Sequence, residues 1–362
     1  MARDERDDDA TLSCGQLNRA LLARQYLLDR VPAALPSALE QVAGLPAQHG
    51  SAYVSLWARI AGFDRDELTA CLEDRSVVQA TLMRQAIHVV SQSDFVMMSA
   101  GVRRARQAWW LRVSRSRGLS ETDYRVLADR LTMLLKEGPK TRGELLDEIE
   151  RSGYPRHAFE GVVLWLDLVR VPPPGTWDHP QADLYGLAVE WVNPTLGRID
   201  QVDESAGLDL LVQRYLRAFG PAGLGDVASW AGVPVAALEP SSERLDLRRF
   251  RDERGAALLD LPFGPLPDGD TPVPVRFLPT WDAALLVHTR RAGIVPDQLR
   301  DELYRVANPV GHGAFLVDGS VAGTWRVVDE RVEITAFAPM ASHVEDEVRS
   351  EADHLRRFHL GR

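Results

Sequence analysis

Hydrophobic residues in the first quarter of the chain recur at the three- and four-residue spacing of amphipathic helices. Ser13 and Gln16 form a capping-box pattern before the first predicted helix, and Ser37 with Glu40 repeats the pattern before a second, short one. Two more helical segments follow. The segment 81–91 instead alternates and is rich in β-branched residues, which predicts a strand pair. Several short helices followed by a strand pair is the element order of a winged helix-turn-helix unit.

This order of elements recurs along the chain. Helices followed by two extended arms around a Pro/Gly-rich tip are predicted within 124–191, and a similar helical pattern begins again after them. Gly138-Pro139 precedes Glu144 by the interval at which Gly220-Pro221 precedes Asp226. We interpret the spacing as repeated winged-helix units, with a coincidence of Gly-Pro turns as the alternative. The predicted division is an acidic, frayed tail at 1–11 and winged-helix units at 12–118, 119–203 and 204–271.

The pattern changes near residue 272. Short alternating segments separated by turns predict β-strands, and Asp318-Gly319 is a good hairpin turn between two of them. The chain ends in a predicted helix with Val344, Val348 and Leu355 on one face. The expected fold class is therefore α+β, with three tandem winged-helix units and a β-rich segment at 272–362.

Composition narrows the class of protein. The 362 residues are 45% hydrophobic and 26% charged, which is ordinary for a soluble globular protein of two or three domains. The only two cysteines favour a reduced, cytoplasmic location, and the stretch 41–58, although free of charged residues, is too polar for a membrane span. The formal charge of −10 is unusual for a nucleic-acid-binding protein and leaves binding to another protein as an alternative.

The usual enzymatic signatures are missing from the sequence. It contains no Gly-rich phosphate loop, no HExxH, no Gly-x-Ser-x-Gly and no Cys/His metal spacing. We therefore expect any catalysis to need neither metal nor cofactor.

The clearest local signal is a run of arginines at 103–117. Six arginines with no acidic residue among them flank Trp109 and a second tryptophan, which suits contact with phosphates and stacking on bases. The alternative is a solvated helix face whose tryptophans pack into the core. The predicted DNA-binding residues of this run are Arg103, Arg104, Arg106, Trp109, Arg112, Arg115 and Arg117.

Five stretches extend these observations into a family resemblance. GLPAQHGSAYVSLWARIAGF, DRSVVQATLMRQAIHVVSQSDF, RYLRAFGPAGLGDVASWAG, FLPTWDAALLVHTRR and DGSVAGTWRV occur in this order. In this order the chain resembles the AlkZ/YcaQ type of winged-helix DNA glycosylase over nearly its whole length. The resemblance implies three winged helices and a β-rich part in a C shape around duplex DNA. It also implies excision of alkylated purines, including bulky adducts and crosslinks made by natural genotoxins, which would suit self-resistance.

The resemblance also implies candidate catalytic residues. The family pattern Gln-x-Gln, or Gln-x-Asp, lies in a GLQAQ-like loop, and here Gln48 matches its second position while Pro46 replaces its first glutamine. His49 is the neighbour that could partly substitute. In the MRGTxH stretch of the family, Arg84 and His88 are retained. The alternatives are a backbone-capping role for Gln48, a satisfied, half-buried His88 and a structural ion pair for Arg84.

Three further positions are weaker candidates. Asp282 matches a family aspartate, with a turn or cap role as the alternative; Arg291 matches a family arginine. Arg170, beside the predicted tip of the second unit, could reach a phosphate or merely solvent. Together these observations predict a monomeric, monofunctional glycosylase that binds double-stranded DNA carrying alkylated bases. The alternative is a catalytically impaired or non-catalytic DNA-binding protein, such as a lesion binder or a transcription regulator.

Overall fold

The computed structural model of the chain describes residues 10–192, 201–306 and 312–361 and has an α+β fold. Its α-helices are α1 Cys14–Arg24, α2 Leu35–Gln41, α3 Ser51–Trp57, α4 Arg65–Glu73, α5 Gln92–Val113, α6 Glu121–Leu135, α7 Arg142–Arg151, α8 Phe159–Val162, α9 Ala188–Trp191, α10 Glu204–Phe219, α11 Leu224–Ala231, α12 Val235–Arg244, α13 Arg300–Val306 and α14 Ser342–Leu360. Its strands are β1 Ala10–Leu12, β2 Leu45–Pro46, β3 Val77–Thr81, β4 Ile87–Ser91, β5 Lys140–Thr141, β6 Leu168–Arg170, β7 Leu184–Leu187, β8 Arg248–Asp252, β9 Ala257–Asp260, β10 Arg276–Leu278, β11 Gly313–Val317, β12 Ser320–Val328 and β13 Arg331–Ala336.

Local sequence signals account for several helix starts. The Ser13 side chain accepts from the backbone N–H of Gln16 and the Gln16 side chain accepts from that of Ser13, so the first capping box is confirmed. The predicted Ser37 cap is wrong, because α2 already begins at Leu35 after Ala34, with proline in its first turn. The fixed φ of proline suits a first turn and replaces the side-chain cap there.

Three sheets organise the strands. The largest has the order β2-β4-β3-β6-β7-β5, and its antiparallel β3–β6 pairing joins the two hairpins that the sequence placed in separate units. A second sheet, β10-β11-β12-β13, lies in the β-rich region, with Asp318-Gly319 at the tight turn between β11 and β12. The third, β1-β8-β9, contains residues 10–12, so the last residues of the predicted tail form a strand. Residues 1–9 of that tail lie outside the described residues.

Two large hydrophobic cores divide the molecule. One is built from residues between Trp110 and Leu187 and belongs to α6–α8 and the strands near them. The other joins the N-terminal helices, α10–α12 and the β-rich region into one body. Helix α5 spans both, because its first half packs on α10 while Trp110 near its end lies in the smaller core.

The crossing of α5 and α10 depends on two glycines. A Cβ atom on Gly207 would lie 2.5 Å from the backbone nitrogen of Gly101, and one on Gly101 would lie 2.7 Å from the carbonyl carbon of Gly207. Backbone atoms cannot move aside as a flexible side chain can. The close approach of these helices fixes α5, which carries the arginine run, against the core.

Candidate active site

The loop that carries Gln48 is held by the hairpin β3–β4. Pro46 pairs with His88 at the edge of the sheet, and the N–H of Ala47 donates to the carbonyl of Ile87 at 2.9 Å. Proline is tolerated at this edge because β2 has no further neighbour that needs its missing N–H. The hydroxyl of Ser51 donates to the Pro46 carbonyl at 2.9 Å. The loop is thus fixed by backbone pairing before Gln48 and by the Ser51 hydroxyl after it.

The Gln48 side chain faces a small cavity of about 140 Å³. Its Oε1 atom is buried and has no hydrogen-bond partner within the described ranges. Gln48 therefore does not use this oxygen to cap or bridge backbone groups, which was the structural alternative. The side chains around the cavity include Pro46, Gln48, Arg84, His88, Trp230, Trp281 and His288.

Two buried histidines in this cavity are neutral. Burial, with a smaller contribution from the charge of Arg84, lowers the pKa of His88 to about 4, although the hydrogen bond between Nδ1 and the Ala86 carbonyl opposes the shift. Burial and Arg84 likewise lower the pKa of His288 to about 3, against the carbonyl of Ala283. Neutral imidazoles keep an acceptor nitrogen at physiological pH.

A second cavity, of about 240 Å³, adjoins Gln48 on another side. Its wall is largely aromatic and includes Trp177, Trp281 and Trp325, together with His49. Trp281 lines both cavities and is 43% exposed. Its φ of 67° is unusual for a bulky residue. Flat aromatic walls beside a polar cavity suit a planar base or adduct.

Arg84 connects the small cavity to an open groove. It lies in the turn between β3 and β4 with φ of 50°, is exposed, and forms no ion pair within the described part of the chain, so the ion-pair alternative does not hold. It also lines a groove of about 610 Å³, together with Trp109 and Arg112 from α5. The far wall of the groove is the Gly232–Pro234 segment after α11. Arg84 therefore lines both the Gln48 cavity and the groove that contains Arg112 of the arginine run.

Comparison with known proteins identifies the family of this chain. The sequence model described as DNA glycosylase AlkZ-like matches residues 39–358. The chain belongs to the AlkZ-like DNA glycosylase family. The interstrand DNA cross-link repair glycosylase of Streptomyces sahachiroi is 23% identical over 369 aligned residues, covering 93% of this chain and 94% of that protein. The solved structure of Streptomyces sahachiroi DNA glycosylase AlkZ has the same fold, with a TM-score of 0.77 at 19% identity over 96% of this chain and 97% of the other.

The predicted arginine run divides into bound and free side chains in this AlkZ-like chain. Arg103 pairs with Asp167 at 2.8 Å, Arg104 lies 3.7 Å from Glu204, and Arg106 is buried and donates to the Thr81 carbonyl. The prediction that Arg106 contacts DNA is corrected, because its side chain is buried and bonds within the protein.

The remaining members of the run lie at the surface. Arg112, Arg115 and Arg117 are exposed, and Trp109 is 41% exposed. The Arg117 guanidinium lies 5.1 Å from the ring centre of Trp110. Trp110 is buried in the smaller core, as expected if the tryptophans of the run pack into the core. Only part of the run is therefore available to phosphates.

Two further candidates take structural positions. Asp282 is buried, accepts two hydrogen bonds of 2.8 Å from Arg59 and caps the turn at Ala284, which is the alternative role and corrects the catalytic one. Burial raises the pKa of Asp282, but Arg59 and its hydrogen bonds hold that pKa below its usual value. Arg170 lies in the sheet with bonds to the Ala182 carbonyl and Thr81, so it reaches neither solvent nor a phosphate. The side chain of Arg291 lies outside the described residues.

Sequence reasoning missed three residues of the small cavity. His288, Trp230 and Trp281 come from α11 and from the segment after β10, far along the chain from Gln48. Their sequence neighbourhoods contain no spacing signal that would join them to the Gln48 loop. What brings them together is packing, because α11 lies against both the 3₁₀ segment Val287–Ala292 and the β3–β4 turn.

Two features are absent from the described ranges of the chain. Residues 10–192, 201–306 and 312–361 contain no group of three or more His, Cys, Asp or Glu side chains placed to hold a metal ion. None of the helices in these ranges combines the length and apolar character that crossing a membrane requires.

Proposed function

We propose that this AlkZ-like protein is a monofunctional DNA glycosylase that excises N7-alkylated purines from duplex DNA. The observation that carries the proposal is Gln48 Oε1, a buried hydrogen-bond acceptor without a partner in a cavity that also holds two neutral histidines. Leaving a buried acceptor unpaired is costly, and such sites are common where a ligand completes the hydrogen bonding. A water molecule or the sugar of a damaged nucleotide is the partner that this chemistry requires.

The lesion supplies much of the reactivity. An N7-alkylated purine is cationic, so its glycosidic bond is weakened and the base leaves as a neutral molecule. The protein must then hold water and stabilise an oxocarbenium-like sugar by positioning and electrostatics. A neutral glutamine orients water without itself attacking the sugar. The two lysines, Lys136 and Lys140, lie in the smaller-core region and line neither cavity, which supports hydrolysis over lyase chemistry.

The free cations supply the contact with DNA. Arg84, Arg112 and the exposed ring of Trp109 line one groove that leads to the cavity, and arginine with an aromatic surface suits phosphates and unstacked bases. The helix-then-hairpin order that ends in β3–β4, β6–β7 and β8–β9 supports three tandem winged-helix units. We propose that these units, with the predicted divisions at 119, 204 and 272, curve around duplex DNA as a monomer in the cytoplasm.

The substrate range follows from the cavities and from the relative. The protein of Streptomyces sahachiroi is named for repair of interstrand crosslinks, and the aromatic cavity beside Gln48 gives room for an adduct larger than methyl. We propose that this chain accepts such bulky N7 adducts, and that it protects its host against a DNA-alkylating natural product.

The test is release of free base from alkylated duplex DNA. Wild-type protein is incubated with a duplex containing N7-methylguanine under single-turnover conditions, and the released base is quantified beside Gln48→Ala and the exposed control Gln298→Ala. We expect Gln48→Ala to lose roughly a hundredfold or more in rate, as when one preorganised polar group is removed, and Gln298→Ala to match the wild type. Absence of base release by wild-type protein from both methylated and bulky-adduct duplexes would exclude the glycosylase.

One observation favours a second function, that of a catalytically impaired lesion binder. Pro46 lines the cavity where the family pattern has its first glutamine, and proline has no side-chain amide to hold water. If this loss limits the reaction, Pro46→Gln will raise the rate of base release at unchanged DNA affinity. A lesion binder would instead bind alkylated duplex more tightly than undamaged duplex and release no base in either form.

A further inference from the structure

His288 shares one property with Gln48. Its Nε2 atom is buried and has no hydrogen-bond partner in the described part of the chain, and the residue lines the same cavity of about 140 Å³ as well as a larger one of about 530 Å³. Besides Gln48, His88 and Arg84, the other side chains on the wall of the smaller cavity are aromatic, aliphatic or methionine. Two unpaired buried polar atoms in one cavity indicate a shared ligand.

The neighbours of His288 determine which ring nitrogen carries the proton. Tyr215 Oη donates its single proton to the His288 carbonyl at 3.0 Å and lies 3.2 Å from His288 Nδ1. With the phenol proton on that carbonyl, which is the nearer of the two acceptors, Nδ1 donates to Tyr215 Oη. The neutral imidazole then has an unprotonated Nε2, so both His288 Nε2 and Gln48 Oε1 are acceptors. Their common ligand must therefore offer two donors.

Water is a donor that the cavity can hold. The volume of about 140 Å³ exceeds the roughly 30 Å³ that one water occupies in the liquid, and water offers two donors. We propose that His288 is a catalytic residue which, with Gln48, holds the hydrolytic water and accepts its proton. This inference rests on the proposed glycosylase function and adds a second water-binding residue to it.

The arrangement gives a balanced reaction. A water that donates both protons to Gln48 Oε1 and His288 Nε2 presents an oxygen lone pair to C1′ of the sugar. The C1′–N9 bond breaks, and its electron pair neutralises the cationic purine as it leaves. The water oxygen bonds to C1′ and its proton passes to His288 Nε2, from which it returns to solvent. Even a weakly basic imidazole takes this proton, because water bonded to an oxocarbenium carbon is strongly acidic.

Two substitutions separate the roles of the two ring nitrogens. His288→Asn keeps an amide donor near the Nδ1 position for Tyr215 and removes the acceptor from the cavity. His288→Gln places a carbonyl oxygen near the Nε2 position, which restores an acceptor but not a base. Under single-turnover conditions we expect about a 100-fold loss of rate for His288→Asn and about a 10-fold loss for His288→Gln, with DNA affinity unchanged in both. His354→Asn on the surface of α14 is the matched control and should match the wild type.

The outcomes distinguish this inference from the proposed function. If the wild type releases base and His288→Asn keeps more than a third of its rate, the role of His288 is excluded while the glycosylase stands. If the wild type releases no base, both are excluded. Loss of the solvent deuterium isotope effect in His288→Gln, with the effect present in the wild type, supports proton transfer to His288, and an unchanged effect contradicts it.

A measurement on the wild-type protein does not depend on any variant folding. The ¹⁵N chemical shifts of the His288 imidazole distinguish the two neutral forms. We expect a protonated Nδ1 and an unprotonated Nε2 at neutral pH. A protonated Nε2 would make His288 a donor toward the cavity and would overturn the proposal.

Discussion

Two clusters of buried polar side chains in this molecule differ in how many of their atoms are hydrogen-bonded. Around Asp282, Arg59 donates to both carboxylate oxygens and to Gln25, and Ser55 donates to Asp282 as well, so the buried charges are paired and bonded. About the Gln48 cavity, Gln48 Oε1 and His288 Nε2 are equally buried but have no partners. Both clusters hold polar atoms away from water, but the Asp282 network leaves only Arg59 Nε without a partner among the described residues, whereas both cavity atoms lack one.

The difference separates a structural role from a functional one. A buried ion pair is tolerated when hydrogen bonds satisfy its remaining lone pairs, and it then fixes the geometry of the elements that it joins. Here it fixes the turn at 281–285 against α3 and places Trp281 beside Gln48 despite its left-handed backbone conformation. The incomplete group costs stability and is kept where a ligand completes it. The Asp282 network therefore supports the cavity in which Gln48 Oε1 and His288 Nε2 have no partners.

The largest expected effect comes from breaking the Asp282 network. In Asp282→Asn the buried guanidinium of Arg59 loses its counter-charge, so we expect the free energy of unfolding to fall by about 3–5 kcal/mol. Gln48→Ala removes an acceptor that makes no bond, so its loss should stay below about 1 kcal/mol. Urea denaturation of both variants at pH 7 measures the contrast. Equal losses would mean that the two buried groups do not differ as described.

Lowering the pH should reduce the free energy of unfolding, because the buried histidines of the cavity resist protonation in the folded state. His88 and His288 have folded-state pKa values of about 4 and about 3, below the value near 6.5 of an unfolded histidine. The unfolded chain therefore binds protons that the folded chain refuses as the pH falls below about 6.5. Stability is full above that pH and decreases below it, by about 2 kcal/mol for each histidine between pH 7 and pH 5.

The measurement is the free energy of unfolding at the two pH values. His88→Asn and His288→Asn each remove one of these histidines, so each should reduce the difference between pH 7 and pH 5 by about 2 kcal/mol. Gln298→Asn, at an exposed position that does not titrate, should leave the difference as it is in the wild type. A wild-type stability that is flat over this range would show that the histidines are not held neutral by burial.

The sequence predicted what local patterns determine. The helix start at Ser13 follows from neighbouring residues, and the chain is shown to belong to the family that it resembled. Gln48, Arg84 and His88 do line one cavity, because a single hairpin and the loop paired with it hold all three. Short-range pairing is therefore enough to bring these residues together.

The sequence could not predict contacts that tertiary packing creates. A run of arginines in the sequence shows where positive charge is concentrated but not which acidic residue each arginine pairs with. Arg103 pairs with Asp167, which lies sixty-four residues further along the chain. Arg170 is buried because β6 pairs with β3, a pairing between two predicted units. His288 reaches the cavity only because the turn at 281–288 folds back onto the hairpin. Each of these contacts joins segments that are far apart in the sequence, and no sequence pattern links them.

The smallest expected effect concerns surface arginines, which also differ in whether they have a partner within the protein. Arg112 is exposed in the groove with no ion pair among the described residues, whereas Arg349 on α14 pairs with Glu345 and Asp346 at the surface. A phosphate contact releases a counterion, so Arg112→Gln should lower the slope of log affinity against log salt by about 0.9, and Arg349→Gln should leave it unchanged. Fluorescence anisotropy with a duplex across a salt series measures both slopes. An unchanged slope for Arg112→Gln would place the groove off the path of DNA, and the free cations would then be solvated charges rather than part of the site.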